Sequence, residues 1–255
     1  MFVALAGGVG GARLLAGLVD AVDATLVTAV VNVADDFVLH GLTICPDLDT
    51  VTYTLAGAND TVAGWGLAGE TWAAMEALER LGGQAWFRLG DRDLATHLYR
   101  TQRLAEGATV SDVAAELARA HGLRCTILPV TDELIRTMVT VAGEEIGFQD
   151  YFVARRHSVA VEAVRFAGIE TARPAPGVIE AIGTAARVIV CPSNPVVSIG
   201  PVLDVPGVAA AVSARRDDVV AVSPIVGGAA LKGPADRMLT ELGHESSVVG
   251  VARMW

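Results

Sequence analysis

A glycine-rich stretch near the N-terminus has the composition of a phosphate-binding turn. Residues 7–13 read GGVGGAR and lie between an apolar run, Phe2–Ala6, and a helix-like segment, Ala12–Val19. Glycines let the backbone approach a phosphate closely, and a helix N-terminus offers free N–H groups. No Gly-Lys-Ser/Thr follows, so the stretch is not a Walker A loop. Gly8 and Gly10 fit the G-x-G of a dinucleotide-binding fingerprint, but Arg13 stands at the position of its third glycine. We therefore expect an anion site formed by Gly7, Gly8, Gly10, Gly11 and Arg13, with a plain tight turn as the alternative.

Two acidic motifs follow the second apolar run, Leu26–Val33: the pair Asp35 and Asp36, and then PDLDT at residues 46–50. Ligands of an open parallel sheet bind beyond the carboxyl ends of its strands, where these motifs should lie. In the PDLDT motif the two acids are two residues apart, so an extended backbone would point both carboxylates the same way. Paired carboxylates beside a phosphate are typical of Mg²⁺ binding, whereas a helix cap before Thr50 is the alternative. The predicted metal ligands are Asp35, Asp36, Asp47 and Asp49.

A third motif spans residues 88–103 and reads RLGDRDLATHLYRTQR. Asp93, His97 and Arg100 fall at positions i, i+4 and i+7, which is one face of a helix. Such a face is ordinarily solvated. This one follows the strand-like Trp86–Leu89 and a turn at Gly90, a position where functional residues concentrate.

Two proline-framed loops provide further polar groups. The segment CPSNPVVSIGP, from residue 191 to 201, displays Ser193, Asn194 and Ser198 at a strand end, which suits hydrogen bonding to a nucleotide or phosphate. A later loop, from Ser223 onward, contains the only lysine of the chain, Lys232. Because a buried structural lysine is rare, solvent exposure and anion contact are the two interpretations of that residue.

The composition excludes several classes of protein. The chain has 255 residues, of which 52% are hydrophobic, and a formal net charge of -10. This apolar fraction excludes intrinsic disorder, and the acidic balance excludes a basic nucleic-acid-binding surface. No uncharged apolar run of membrane-spanning length occurs. Three well-separated cysteines suit a reducing cytoplasm, where we expect the protein to reside.

Short apolar runs alternate with helix-like segments along the chain. Further strands are expected at Cys125–Pro129, Met138–Val141, Arg187–Cys191 and a buried Val219–Ser223. Helices are expected at Thr50–Ala56, Glu70–Leu81, Asp93–Glu106, Ser111–His121 with Ser111 as N-cap, Gly177–Gly183 and Pro234–Leu242. This alternation is typical of an α/β protein with a mostly parallel sheet. Residues 105–170 vary more in character and could form a smaller inserted cap within a single domain, 1–255.

Taken in order, these motifs resemble the CofD/FbiA family, the 2-phospho-L-lactate or phosphoenolpyruvate transferases of coenzyme F420 biosynthesis. The similarity covers the whole chain and is carried by GGVGGARLL, NVADDF, PDLDT, LGDRDLATH, SNPVVSIGP and AALKGPAD. The resemblance implies a Rossmann-like three-layer α/β/α domain, commonly a homodimer. Members of the family generally continue some fifty residues past Trp255, and that tail would contribute packing or dimer contacts.

The resemblance also implies a reaction that depends on Mg²⁺. The donor would be a guanosine diphosphate diester of lactate or enolpyruvate. The acceptor would be the deazaflavin Fo, whose terminal ribityl hydroxyl attacks the phosphorus while GMP leaves. By family motif, Asp49 and Arg88 would contact Fo and act in catalysis. The glycine stretch with Ser193, Asn194 and Ser198 would bind the guanosine diphosphate portion.

The residues leave some alternatives open. YvcK-like proteins share the glycine-rich start and the fold, and would bind a nucleotide sugar without turnover. The acid transferred could be phospholactate, phosphoenolpyruvate or phosphoglycerate. We expect Asp49→Ala to abolish turnover while the fold stays intact.

Overall fold

The computed structural model describes all residues from Met1 to Trp255 and contains twelve strands and ten helices. The strands are β1 Phe2–Ala6, β2 Val27–Val31, β3 Phe37–Leu39, β4 Leu42–Ile44, β5 Thr126–Pro129, β6 Arg136–Val141, β7 Glu144–Gly147, β8 Ala163–Ala167, β9 Arg187–Val190, β10 Val219–Ala221, β11 Ile225–Val226 and β12 Ala229–Ala230. The helices are α1 Gly8–Ala21, α2 Pro46–Leu55, α3 Ala73–Arg80, α4 Asp93–Ala105, α5 Val110–Ala120, α6 Val178–Thr184, α7 Gly200–Asp204, α8 Val208–Ser213, α9 Ala235–Glu241 and α10 Val248–Met254.

The main sheet has five strands in the order β10-β9-β1-β2-β5, and every pairing in it is parallel. Helices flank this sheet, which confirms the predicted α/β architecture with a parallel sheet. The strand VTAVV of β2 is buried at all five positions, as expected for a strand covered on both faces. A core of 34 buried residues surrounds the sheet. The carboxyl ends of β1, β2 and β9 therefore meet at one edge.

A second, antiparallel sheet has the order β7-β6-β8 and covers residues 136–167. It encloses its own apolar core with α9 and α10. This sheet lies within the segment 105–170 that the sequence marked as a cap. Of the other elements in that segment, α5 packs against β5, and β5 pairs with β2 in the main sheet. The antiparallel sheet therefore occupies only part of that segment.

Several predicted elements need correction. Helix α1 begins at Gly8 rather than Ala12, and α2 begins at Pro46 rather than Thr50. Helix α5 is capped by Thr109, which forms a capping box with Asp112, so Ser111 is not the cap. Strand β10 is half-buried to exposed rather than buried because it is short and lies at the sheet edge. No helix combines the length and apolar character needed to cross a membrane.

Candidate active site

The glycine-rich stretch forms the first turn of α1, packed tightly against the loop after β9. Gly8 has a left-handed backbone, with φ of +58°. A Cβ on Gly10 would collide with the carbonyl oxygen of Pro192, and one on Gly11 would lie 2.8 Å from Ser193 Oγ. No side chain caps the start of α1, and its first turn contains no acid. The helix therefore begins at the carboxyl end of β1 with N–H groups of which only that of Gly8 meets a side chain, the carboxylate of Asp47, an arrangement that suits an anion site.

In the loop after β9, two residues that were predicted to bind a ligand, Ser193 and Asn194, form hydrogen bonds within the chain. Ser193 Oγ accepts a hydrogen bond from Gly7 N at 3.1 Å and donates one to Gly7 O at 2.7 Å. Asn194 Oδ1 accepts from Val196 N at 2.9 Å. Ser198 Oγ, in contrast, makes no hydrogen bond within the chain and lies 3.2 Å from where a Cβ on Gly7 would be. Ser198 is thus the hydroxyl of this loop that remains available to a ligand.

Three carboxylates, those of Asp35, Asp36 and Asp47, lie in the same region and form no salt bridge, although the charge of Arg100 partly offsets the effect of burial on the pKa of Asp36. Asp47 Oδ2 accepts from Asn32 Nδ2 at 3.0 Å, and its carboxylate also meets the backbone N–H of Gly8. Burial nevertheless raises the pKa of Asp47 to about 6. Burial, and then the charge on Asp47, raises the pKa of Asp35, and burial also raises that of Asp36. One oxygen each of Asp35 and Asp36 is buried without a hydrogen-bond partner.

Asp47 and Asp49 do not point the same way, contrary to the sequence-based expectation. Both lie in the first turn of α2, which starts at Pro46, a residue favoured at that helical position. Two residues along a helix turn by about 200°, so the two carboxylates diverge. Asp47 faces the start of α1, and Asp49 faces α4.

Asp49 belongs to a buried cluster with three residues of α4, here called the Asp49 cluster: Asp49, Asp93, His97 and Arg100. Arg100 forms an ion pair with Asp49 through Nη2 and donates a second hydrogen bond through Nη1 at 3.2 Å. His97 Nδ1 lies 3.1 Å from Arg100 Nη1, and His97 Nε2 lies 3.2 Å from Asp93 Oδ2. The face predicted from the spacing of Asp93, His97 and Arg100 is therefore real, but it is buried rather than solvated.

This ion pair changes the expected effect of one substitution. Asp49→Ala would leave the guanidinium of Arg100, which is 2% exposed, without its partner. Removing one member of a buried pair costs about 3–5 kcal/mol. The substitution would therefore destabilise the fold as well as the site, and Asp49→Asn is the better probe of chemistry.

One group of side chains brings its ligand atoms close enough together to hold a cation. Ligand atoms of Asp49, Asp93 and His97 lie within 4.8 Å of one another. In that group, the guanidinium of Arg100 also compensates the charge of Asp49. Asp35, Asp36 and Asp47 have raised pKa values, and one oxygen each of Asp35 and Asp36 is buried without a hydrogen-bond partner. Oxygen ligands of this kind suit a hard divalent cation, but these three side chains do not form a group with ligand atoms within 4.8 Å.

A cavity of about 220 Å³ opens beside the Asp49 cluster. Its walls include the rings of Trp65 and Trp72 and the carboxylate-bearing residues Glu70 and Asp93. The guanidinium of Arg88 stacks on Trp72, with 4.7 Å between its carbon and the ring centroid. Arg88 is exposed, does not contact Asp49 and lines a neighbouring cavity with Met75, Glu76, Glu79 and Ala85, so the structure does not bring these two predicted residues together.

Other predicted residues have roles that the spacing did not show. The side chain of Arg13 is exposed and forms no ion pair. Lys232 donates to the carbonyl of Ala63 at 3.0 Å, which joins the loop after β12 to the loop that carries Trp65. The sequence reasoning did not identify Trp65 or Trp72, although two tryptophans in a glycine-rich segment were a usable signal.

Together the fold and the site define an α/β protein in which a helix N-terminus and a group of buried acids meet at the carboxyl edge of a parallel sheet. A sequence model described as "2-phospho-L-lactate transferase CofD" matches residues 2–253. The chain belongs to the CofD family and is a transferase of that family.

Several relatives are called phosphoenolpyruvate transferase. The one from Kitasatospora aureofaciens is 46% identical over 256 residues, covering 98% of this chain and 80% of the relative. The one from Mycolicibacterium smegmatis is 43% identical over 267 residues, covering 98% and 82%. A solved structure of a UPF0052 family member from Bacillus halodurans aligns with a TM-score of 0.53 and 18% identity, covering 82% of this chain and 64% of that one. This last likeness shows the fold alone.

Proposed function

We propose that this protein transfers an enolpyruvyl phosphate group from a guanosine diphosphate diester to Fo in coenzyme F420 biosynthesis. The terminal ribityl oxygen of Fo forms a bond to the phosphorus that bears the acid. The bond from that phosphorus to the bridging oxygen breaks, GMP leaves with the electron pair, and the hydroxyl proton is lost. The names of the relatives, phosphoenolpyruvate transferases, favour enolpyruvate over lactate as the acid.

One observation supports a diphosphate site above all others. The N-terminus of α1 attracts anions, yet the buried carboxylates of Asp47 and Asp35 already occupy its surroundings. A diphosphate could approach these acids only if a cation compensated the charges. Mg²⁺ held by Asp35, Asp36 and Asp47 would neutralise charge on the diphosphate when it is bound. The hydroxyl of Ser198 would contact the phosphates, whereas the N–H groups of Gly7 and Gly8 already meet Ser193 and Asp47.

Asp49 has the position and charge to orient the acceptor. Its carboxylate is fixed by Arg100, and the oxygens of a carboxylate have lone pairs for additional hydrogen bonds. An ion-paired carboxylate is a poor proton acceptor but a good hydrogen-bond acceptor. Phosphoryl transfer needs positioning more than covalent chemistry, so orientation of the attacking hydroxyl is the role we assign to Asp49.

Trp65 and Trp72, which meet edge to face with ring centroids 6.5 Å apart, line a cavity that would bind one side of the flat ring system of Fo. Aromatic walls bind such rings through their apolar faces, and Asp93 at the cavity wall connects it to Asp49 through His97. Arg88, stacked on Trp72, adds a positive charge at this wall. The expected Fo contacts of Arg88 and Asp49 are thus compatible with one binding mode that spans the cavity.

A mass-spectrometric assay tests the proposal. The protein is incubated with Fo, Mg²⁺ and each of the guanosine diphosphate esters of enolpyruvate, lactate and glycerate in turn. We expect GMP and an enolpyruvyl phosphodiester of Fo. If a product forms only from another donor, the transferred acid is the one that this donor carries and not enolpyruvate. Absence of product from all three, with a folded protein that binds a nucleotide sugar, would contradict the transferase and favour a YvcK-like function.

A further inference from the structure

A row of buried polar side chains continues beyond Asp49 to the wall of the cavity. Arg100 is 2% exposed, and His97 and Tyr53 are each 1% exposed. Tyr53 OH donates toward Asp93 Oδ1 at 2.7 Å and lies 2.8 Å from Thr96 Oγ1. Asp93 is also one of the residues that line the cavity. This row therefore joins the proposed acceptor site to Asp49 through side chains alone.

The hydrogen bonds determine which nitrogen of His97 carries a proton. A guanidinium has donors and no acceptor, so the contact between Arg100 Nη1 and His97 Nδ1, at 3.1 Å, requires Nδ1 to accept. The proton of the neutral imidazole must then be on Nε2. That nitrogen lies 3.2 Å from Asp93 Oδ2, a close polar contact that does not reach hydrogen-bond geometry. His97 is thus an acceptor toward Arg100, and its Nε2 faces the carboxylate of Asp93.

His97 restrains the guanidinium of Arg100 at Nη1, in addition to the ion pair that Arg100 forms with Asp49. Nη1 of Arg100 is shared among Asp49 Oδ2 at 3.2 Å, His97 Nδ1 at 3.1 Å and the carbonyl of Thr43 at 3.3 Å. Without His97, Nη1 loses one of these three acceptors, and the guanidinium and its paired carboxylate are held less firmly. Asp93 in turn is held by Tyr53 and contacts the imidazole of His97. Because Asp93 is part of the cavity wall, the orientation of Asp49 is coupled to that wall.

We propose that His97 is a positioning residue that aligns Asp49, through Arg100, with an acceptor bound against Asp93. The role depends on the proposed function, because it concerns the orientation of the hydroxyl that attacks phosphorus. It needs no proton transfer through the imidazole. It requires only one acceptor and one donor nitrogen in a fixed relation.

Two substitutions of His97 separate positioning from simple packing. In a glutamine side chain the amide oxygen and nitrogen flank one carbon, as Nδ1 and Nε2 do in imidazole, so His97→Gln keeps an acceptor for Arg100 and a donor for Asp93. His97→Ala removes both. We expect His97→Ala to lower kcat about 100-fold with the KM of the guanosine donor unchanged, since small misplacement of a reacting group has effects of this size. His97→Gln should recover to within about tenfold of the wild type.

The control is Val113→Ala in α5, a buried apolar truncation outside the Asp49 cluster. Rates are expressed per folded molecule, from thermal unfolding of each variant. If His97 serves only stability, His97→Ala and Val113→Ala will both keep kcat within twofold of the wild type, and the proposal is refuted. Equal losses of kcat in His97→Ala and His97→Gln would also overturn it.

A second readout does not depend on activity. With ¹⁵N-labelled histidine, the ring nitrogen of His97 that accepts from Arg100 should show the resonance of an unprotonated nitrogen. Two protonated ring nitrogens would contradict the assigned hydrogen bonds. If the wild type makes no product while this NMR pattern is present, the proposed function fails and the buried arrangement stands.

Discussion

Asp47→Asn should make the metal-free protein more stable at neutral pH and above. Burial raises the pKa of Asp47 from 3.8 to about 6. Since the native state then binds the proton more tightly than the unfolded state does, the contribution of Asp47 to stability is full below pH 3.8 and is lost as the pH rises through about 6. A shift of about two pKa units corresponds to roughly 3 kcal/mol as an upper bound.

Asparagine removes this unfavourable charge but not the whole hydrogen-bonding pattern. Its oxygen can still accept from Asn32 Nδ2, which lies 3.0 Å from Asp47 Oδ2. The charge-assisted contact with Gly8 N–H is weakened, at a cost of about 1 kcal/mol. The expected net gain is therefore roughly 1–2 kcal/mol at pH 8, or about 2–8 °C in Tm for a chain of this size, and none at pH 4.

Thermal unfolding followed by circular dichroism from pH 4 to pH 8, in EDTA, measures this difference. Mg²⁺ added afterwards should raise the Tm of the wild type more than that of Asp47→Asn. Asp91→Asn is the control with opposite sign, because hydrogen bonds from Thr71 and the Ala74 N–H hold the pKa of Asp91 below 3.8. Relative to the wild type, that variant should be destabilised by an amount that is nearly constant above about pH 5 and shrinks only at more acidic pH. A Tm difference for Asp47→Asn that does not change with pH would refute the reasoning.

Three further outcomes follow from the packing and the ion pairs. Gly10→Ala should destabilise the fold and weaken binding of a guanine nucleotide, because its Cβ would collide with Pro192 O. Gly17→Ala, in the same helix with open space around it, should instead stabilise the protein by about 0.5–1 kcal/mol. Equal chemical denaturation midpoints for the two variants would contradict this. Arg100→Met should cost about 3–5 kcal/mol by leaving Asp49 buried and unpaired, and urea unfolding that shows under 1 kcal/mol would disagree. Trp72→Ala should raise the KM for Fo about tenfold or more with the donor KM unchanged, and steady-state kinetics in which only the donor KM moves would assign the cavity to the donor.

The parallel sheet could be predicted because its strands have the continuous apolar runs of buried strands, as in β2. The start of α2 was missed although Pro46 is a signal for the first turn of a helix. The spacing of Asp93, His97 and Arg100 predicted a shared face, but a charged stripe on a helix normally faces water. Its burial depends on Asp49, which is distant in sequence and carries the charge that compensates Arg100. Periodicity within one helix contains no information about such a partner.

The hydrogen bonds between Ser193 and Gly7 join residues 186 positions apart in the chain. The first turn of α1 can form early, but the loop that encloses it is synthesised only after most of the protein. Contacts of such long sequence separation form late and slowly in folding. A ribosome-bound chain that ends before β9 therefore lacks the loop that completes the anion site. Nucleotide binding would then report completed folding of the main sheet, and nucleotide would stabilise the finished protein without accelerating the steps that precede it.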